Sequence, residues 1–399
     1  MAYAFFTSLL FQMVFTVHSV YCVTTAGLGP LQLVLVGTVV ELSILLCEIP
    51  TGVVADVYSR RASVILGVFV MGAGFVIEGA WPYFSTILLS QVVWGIGYTC
   101  TSGALEAWIA DEIGEEQAGV AFLRQAQAVQ AGAWLGIGAG TLLGVLRLNL
   151  PMLVSGALLG VWGLVLLRVM PEEGYRPTPP ADRSTWGALF HTLRSGVAVI
   201  RSRPSLASVL WIGLFYGMHT EGFDRLWAAY LLERFTFPLF QPVVWFGLIA
   251  AAARLLSAGA AGAATRLVDV HRLRSLARAL FLLAGVLWAA LAGFALSGNL
   301  WLSAGLYVLI DVIRNVNSPL YTAWVNHRLD SQVRATVLST SSQADALGQI
   351  AGGPLLGLVA NRVSMLAGLL GSALMFAPVP FLLARQLRSL PPEPAGALD

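Results

Sequence analysis

Glu41, Asp311 and Arg314 are charged side chains set near the middle of stretches that are otherwise apolar. A charge at the centre of a bilayer costs about 2.5–3.5 kcal/mol on insertion scales, so every ionisable group in such a place is a functional candidate. An exchanger driven by protons needs a carboxylate that takes up a proton on one side of the membrane and releases it on the other. Glu41 has no charged neighbour one helical turn away, so only burial bears on its protonation. Asp311 and Arg314 stand three residues apart, on one helix face, where they can pair with each other. Glu41 is therefore the first candidate proton carrier, and Asp311 with Arg314 a candidate coupling or gating element. The plain alternatives are a protonated Glu41 bonded to a neighbouring helix and a packing ion pair at Asp311 and Arg314.

Other polar side chains interrupt apolar stretches in the same way. Gln91, Glu106, His219, Glu221, Arg254, Asn315, Asn317, Gln343 and Asp345 are candidates for the wall of a substrate cavity, and Trp94, Tyr98 and Phe215 offer an apolar surface to a lipophilic solute. His219, Glu221, Asp224 and Arg225 crowd toward one end of their stretch, as an outer gate or as a solvated helix end. His18 reads as a hydrogen-bonded core histidine, and Trp81 and Trp301 as interfacial belt residues.

The elements that carry these residues follow from composition. The chain is 57% hydrophobic and 11% charged, against roughly 25% charged in ordinary soluble domains, which makes it an integral membrane protein. Twelve apolar stretches are each long enough to cross a bilayer: 3–24, 31–54, 62–81, 84–109, 119–146, 150–169, 205–231, 241–263, 275–297, 300–325, 336–360 and 363–385. The spacing predicts an all-α membrane protein with a six-helix bundle over 1–169, a linker over 170–204, a second six-helix bundle over 205–385 and a tail over 386–399. Pro171, Pro177, Pro179 and Pro180 mark the linker, and 186–200 suits a short amphipathic helix on the membrane surface. All 23 basic residues are arginine. Sixteen fall in loops or the tail on one side and three on the other, so both termini are expected in the cytoplasm. Cys22, Cys47 and Cys100 lie in apolar stretches without close spacing, so their pattern suggests neither a disulfide nor a metal site.

Between the second and third stretches stands Gly52-x3-Asp56-x3-Arg60-Arg61, preceded by Pro50 and Thr51, with a looser echo after the eighth stretch at Gly262, Arg266, Asp269, Arg272 and Arg274. With two six-span halves about a linker, this resembles the major facilitator superfamily over nearly the whole chain, and Pro50-Thr51-Gly52 resembles its drug:proton antiporter branches. Ser59 and Val57 depart from the usual loop signature. Gln91 stands where the antiporters often carry an arginine, and their Gly-Pro signature is absent from the fifth span. The resemblance implies two bundles rocking about a central site, with Gly52, Asp56, Arg60 and Arg61 as a conformational latch. It also implies that spans one, four, seven and ten are central, so that Asp311 and Arg314 face the cavity and Glu78 on span three does not. Gly132, Gly136, Gly140 and Gly144 in span five, and Gly348, Gly352, Gly353 and Gly357 with Pro354 in span eleven, read as tight helix contacts in equivalent places.

The expected function is proton-coupled efflux of lipophilic, drug-like small molecules from a bacterial inner membrane. The proton gradient replaces any cofactor, the partners are the substrate, protons and the bilayer, nucleic acid is not among them, and the chain is expected as a monomer. Proton-coupled uptake or lipid movement is the alternative within transport, and a non-transporting sensor the alternative outside it. An enzyme is not expected, since no nucleophile set, metal-ligand spacing or phosphate loop stands out.

Overall fold

Apolar runs of roughly 20 residues must satisfy their backbone internally once in lipid, and the helix is how a single segment does so. In the computed structural model, which describes residues 1–175, 187, 194, 204–327 and 331–390, this gives α1 (Ala2–Thr24), α2 (Pro30–Val57), α3 (Arg60–Ala80), α4 (Phe84–Thr101), α5 (Ala104–Ile113), α6 (Glu115–Leu146) and α7 (Leu150–Val169). The second half holds α8 (Pro204–Arg234), α9 (Pro242–Leu267), α10 (Leu273–Leu296), α11 (Leu300–Asn326), α12 (Ser331–Arg362), α13 (Met365–Phe376) and α14 (Pro378–Arg388). Among the described residues these make twelve spans, because α4 with α5 and α13 with α14 are each one span broken once. The surface helix expected over 186–200 lies, apart from residues 187 and 194, outside the described residues, as do 391–399.

Local chemistry sets the breaks. Gly103, between α4 and α5, has φ +73°, a conformation that costs a side-chain-bearing residue most. Pro378 opens α14 in the first helical turn, where its missing N–H is no loss. Ser59 caps α3 by accepting from the Ala62 N–H at 2.8 Å, and Asn299 and Ser364 cap α11 and α13 in the same way.

Among the described residues, eight spans are long and apolar enough to cross a membrane on length and composition alone. The other four are spans four, seven, ten and eleven, and they carry Gln91, the His219 to Arg225 cluster, the Asp311 to Asn317 cluster, and Gln343 with Asp345. A helix that holds such residues in a membrane must turn them toward protein or a water-filled space. The polarity that weakens these helices as lipid-facing spans makes them the candidate walls of a site.

The chain divides into two compact units, Met1–Phe190 with Leu232–Ala251, and His191–Leu231 with Ala252–Asp399. In the first, α6 lies on α1 so closely that a Cβ on Gly132, Gly136 or Gly140 would run into the carbonyl oxygen of Phe5, Leu9 or Met13. In the second, a Cβ on Gly348 would meet the Leu214 carbonyl, and one on Gly352 would lie 2.6 Å from the Met218 carbonyl oxygen. Span five on span one and span eleven on span seven are the same contact in the two halves. Its repetition bears on the internal repeat that the sequence hints at only faintly.

Candidate functional site

The signature motif is mostly helical. Gly52 and Asp56 lie on the last turns of α2, Arg60 opens α3, and only Tyr58 and Ser59 separate the helices. Arg60 pairs with Asp111 on α5 and donates to the Ala107 carbonyl at 3.1 Å. The carboxylate at the positive end of α3 belongs to Glu172, which accepts from the Ser59 hydroxyl at 2.8 Å and from the Arg61 N–H at 3.0 Å. Asp56 enters through its carbonyl, which accepts from the Tyr175 hydroxyl at 3.0 Å. The carboxylate that serves the start of α3 is that of Glu172 and not of the nearer Asp56. Glu172 lies 113 positions from Ser59, and only the return of α7 to the same end of the unit brings it there. Replacing Glu172 by alanine should remove about 1 kcal/mol of stability, the usual cost of losing such a cap. The measurement is the thermal midpoint in detergent, and an unchanged midpoint would remove Glu172 from this role.

In the second unit the charges of spans seven and ten converge. Arg314 Nη1 donates to Asp224 Oδ1 at 2.5 Å, its Nη2 lies 3.2 Å from His219 Nε2, and its guanidinium lies 5.2 Å from the centre of the Phe223 ring. Arginine can only donate, so His219 Nε2 accepts and the ring hydrogen sits on Nδ1, which is buried. Glu221 is 4% exposed and bonds Arg225 at 3.0 Å. Asp311 accepts from Asn315 at 3.0 Å and lies within electrostatic reach of Arg254. The pairing of Asp311 with Arg314 allowed by sequence spacing is therefore not the contact formed. Helix α8 supplies Asp224 as the nearer partner, and Asp311 turns to its own helix.

Beside this cluster lies a cavity of about 360 Å³ within the second unit. Tyr216, Asn317, Tyr321, Thr322, Ser341 and Asp345 supply its polar groups, set in a wall that is mostly apolar surface and includes Ile212 and Leu338. Asp345 is the charged residue of this lining and is steadied by Gln349 Nε2 at 2.9 Å. Gln343 is half-buried on the same helix, and Phe215 stacks on Trp211 in a separate apolar cleft with Phe381 and Arg385.

In the first unit, Tyr98 stacks on Trp94 with ring centres 5.3 Å apart, and Trp94 continues through Phe15 at 5.9 Å to Phe11 and Phe75. Phe15 is 49% and Tyr98 37% exposed. Glu106, Glu41 and Glu48 lie within electrostatic reach of the Tyr98 hydroxyl. Glu41 is half-buried and Glu106 exposed. Gln91 turns away from this group and donates to Glu78 Oε2 at 3.2 Å, beside His18. Nothing in the sequence singled out Asp224 as the partner of Arg314 or Glu172 at the start of α3, and Glu78, set away from the cavity by the resemblance, is the carboxylate that meets His18. For Glu78 the available signal was a lone carboxylate in an otherwise apolar span.

Comparison with known proteins places this geometry. Residues 1–353 match the family model described as Major Facilitator Superfamily. An uncharacterized MFS-type transporter, YxaM of Bacillus subtilis (strain 168), is 24% identical over 212 residues, and the chain spans about half the length of that curated relative. Among solved structures, a mutant of the nucleoside transporter NupG superposes with a TM-score of 0.76 at 13% identity, over 96% of this chain and 97% of that one. A bacterial homologue of the human lysosomal transporter Spinster, inward-facing and occupied, superposes at 0.68 with 14% identity, over 96% and 93%. A POT family transporter in complex with a thioalcohol-conjugated peptide superposes at 0.69 with 12% identity, over 96% and 94%. At such identities the likeness carries the fold.

Proposed function

The chain belongs to the major facilitator superfamily, and from that premise we propose that it is a proton-coupled secondary transporter exporting lipophilic small molecules by alternating access. The observation that carries this reading is the aromatic row of Phe15, Trp94 and Tyr98, exposed at Phe15 and Tyr98, with the Tyr98 hydroxyl in electrostatic reach of Glu41, Glu48 and Glu106. Rings offer an apolar bed, and a carboxylate at its edge can exchange a proton as the solute comes and goes. Glu41 is the proposed proton carrier, Arg314 with its partners the gating element, and Gly52, Asp56, Arg60 and Arg61 part of a latch at the end of α2. The proposed setting is the inner membrane of a bacterium, with both termini cytoplasmic and the monomer as the working unit.

In proteoliposomes, Glu41→Gln is expected to uncouple transport from an imposed proton gradient, leaving uptake of a fluorescent lipophilic probe no faster than without the gradient. Full coupling in that variant removes Glu41 from the role. Direction is tested by growing expressing and non-expressing cells on a panel of toxic lipophilic compounds, with and without a protonophore. Protection that disappears with the gradient supports export.

A second reading is proton-coupled uptake of a hydrophilic solute. The cavity lined by Asp345 favours it, since hydroxyls, an amide and a carboxylate set into its mostly apolar wall suit a solute with several hydrogen-bonding groups. Sensitisation of expressing cells in the same screen, abolished by Asp345→Asn, is the outcome that selects this reading.

A further inference from the structure

His18 and Cys22 stand four residues apart on α1, on one face, and Glu78 of α3 meets them from across the bundle. Their donor atoms lie within 4.8 Å of one another. Cys22 and Glu78 are 1% and 2% exposed, and the His18 side chain is 12% exposed. No role in the proposed transport cycle falls to these residues.

Cys22 Sγ lies 3.7 Å from His18 Nε2. With Zn–S of about 2.3 Å and Zn–N of about 2.0–2.1 Å, that separation corresponds to an S–Zn–N angle of roughly 115°, close to tetrahedral. The separation of the two donor atoms therefore matches that of a shared ion. His18 Nδ1 lies 2.6 Å from Glu78 Oε1, so the ring donates there while Nε2 keeps its lone pair toward the sulfur. A carboxylate holding the far side of the imidazole is the arrangement that fixes a metal-bound histidine. Glu78 is itself fixed: Gln91 donates to its Oε2 at 3.2 Å, and Tyr21 donates to its carbonyl at 2.6 Å.

From this geometry we infer that His18 and Cys22 bind a zinc-class divalent cation, with Glu78 as the positioning residue. Nitrogen and sulfur donors select a borderline-soft ion over magnesium or calcium. Binding releases the Cys22 thiol proton and leaves the His18 proton on Nδ1 facing Glu78. A doubly charged ion beside a thiolate and a carboxylate has no net charge, which is the arrangement least penalised in a low-dielectric interior. The remaining coordination positions would fall to water, from the 12% exposed side of His18. The sequence pattern alone suggested no such site, because the three residues come from two helices about 60 positions apart.

The test is titration of the purified full-length chain in detergent with Co²⁺, which takes zinc's place and reports sulfur coordination by a thiolate-to-cobalt absorption band. The expected result is a band that zinc displaces, that persists in Cys47→Ser and Cys100→Ser, and that is lost in Cys22→Ser. Glu78→Gln is expected to retain the band with affinity lower by about 10–100-fold. A folded wild-type chain without the band, or a band that survives Cys22→Ser, overturns the site. If Cys22→Ser does not fold, a band lost in Cys47→Ser or Cys100→Ser overturns it equally, because the sulfur then belongs elsewhere.

Discussion

Gly136→Ala is expected to lower the yield of folded protein sharply, although alanine inside a helix is normally favoured over glycine by roughly 0.5–1 kcal/mol. The reversal comes from the α1 backbone. A Cβ at this position would overlap the Leu9 carbonyl oxygen and lie 2.9 Å from Gln12 Cβ and 3.1 Å from the Met13 nitrogen. Overpacking a tight contact costs typically about 1–3 kcal/mol, and here the obstacle is a helix backbone that cannot swing aside as a side chain can. Gly138 is the control: it lies on the same helix with nothing within 4 Å, so Gly138→Ala should be neutral or slightly stabilising. Gly348→Ala, facing the Leu214 carbonyl, should behave as Gly136→Ala does. The readout is monodispersity and the thermal midpoint in detergent. Equal stability of Gly136→Ala and Gly138→Ala would mean that α1 and α6 do not approach as described.

The second large effect is expected at Asp224. Asp224→Asn leaves the Arg314 guanidinium, 16% exposed, without its ion-pair partner. Breaking a buried pair from one side costs roughly 3–5 kcal/mol, and because Asp224 is 48% exposed the cost should fall at or below the low end of that range. Asp311→Asn should cost less, because the hydrogen bond of its carboxylate is to Asn315, which can rebond to an amide, and its attraction to Arg254 and Arg314 acts over a longer distance than the direct pair of Asp224 with Arg314. The order of the two variants is the test. If Asp311→Asn lowers the unfolding midpoint further than Asp224→Asn, the partner of Arg314 has been misassigned. Transport should follow the same order, since freeing Arg314 also disturbs its contact with His219 Nε2 at 3.2 Å.

The spans were legible because lipid imposes one rule on every segment that crosses it. An apolar run from about 150 to 169 can satisfy its backbone in hydrocarbon only as a helix, and α7 is that helix. The small-residue stripes were legible for a similar reason: four-residue spacing puts Gly132, Gly136 and Gly140 on one face whatever they meet. Which helix they meet was not legible. That depends on the packing of whole bundles.

What the sequence by itself determined is the inventory: twelve spans, a signature loop, and a short roll of polar side chains that a membrane would tolerate only where protein or water receives them. The tertiary structure decided the pairings. Asp311 stands three residues from Arg314 on one helix, yet Arg314 bonds Asp224 from 90 positions away. Glu172 takes the place at the start of α3 that proximity had offered to Asp56, and Glu78 turns inward to His18. Closeness along a helix makes a contact available. In a medium where each unpaired charge is costly, the contact that forms is the one with the best donor geometry among all the helices brought together, and that choice is written in no single segment.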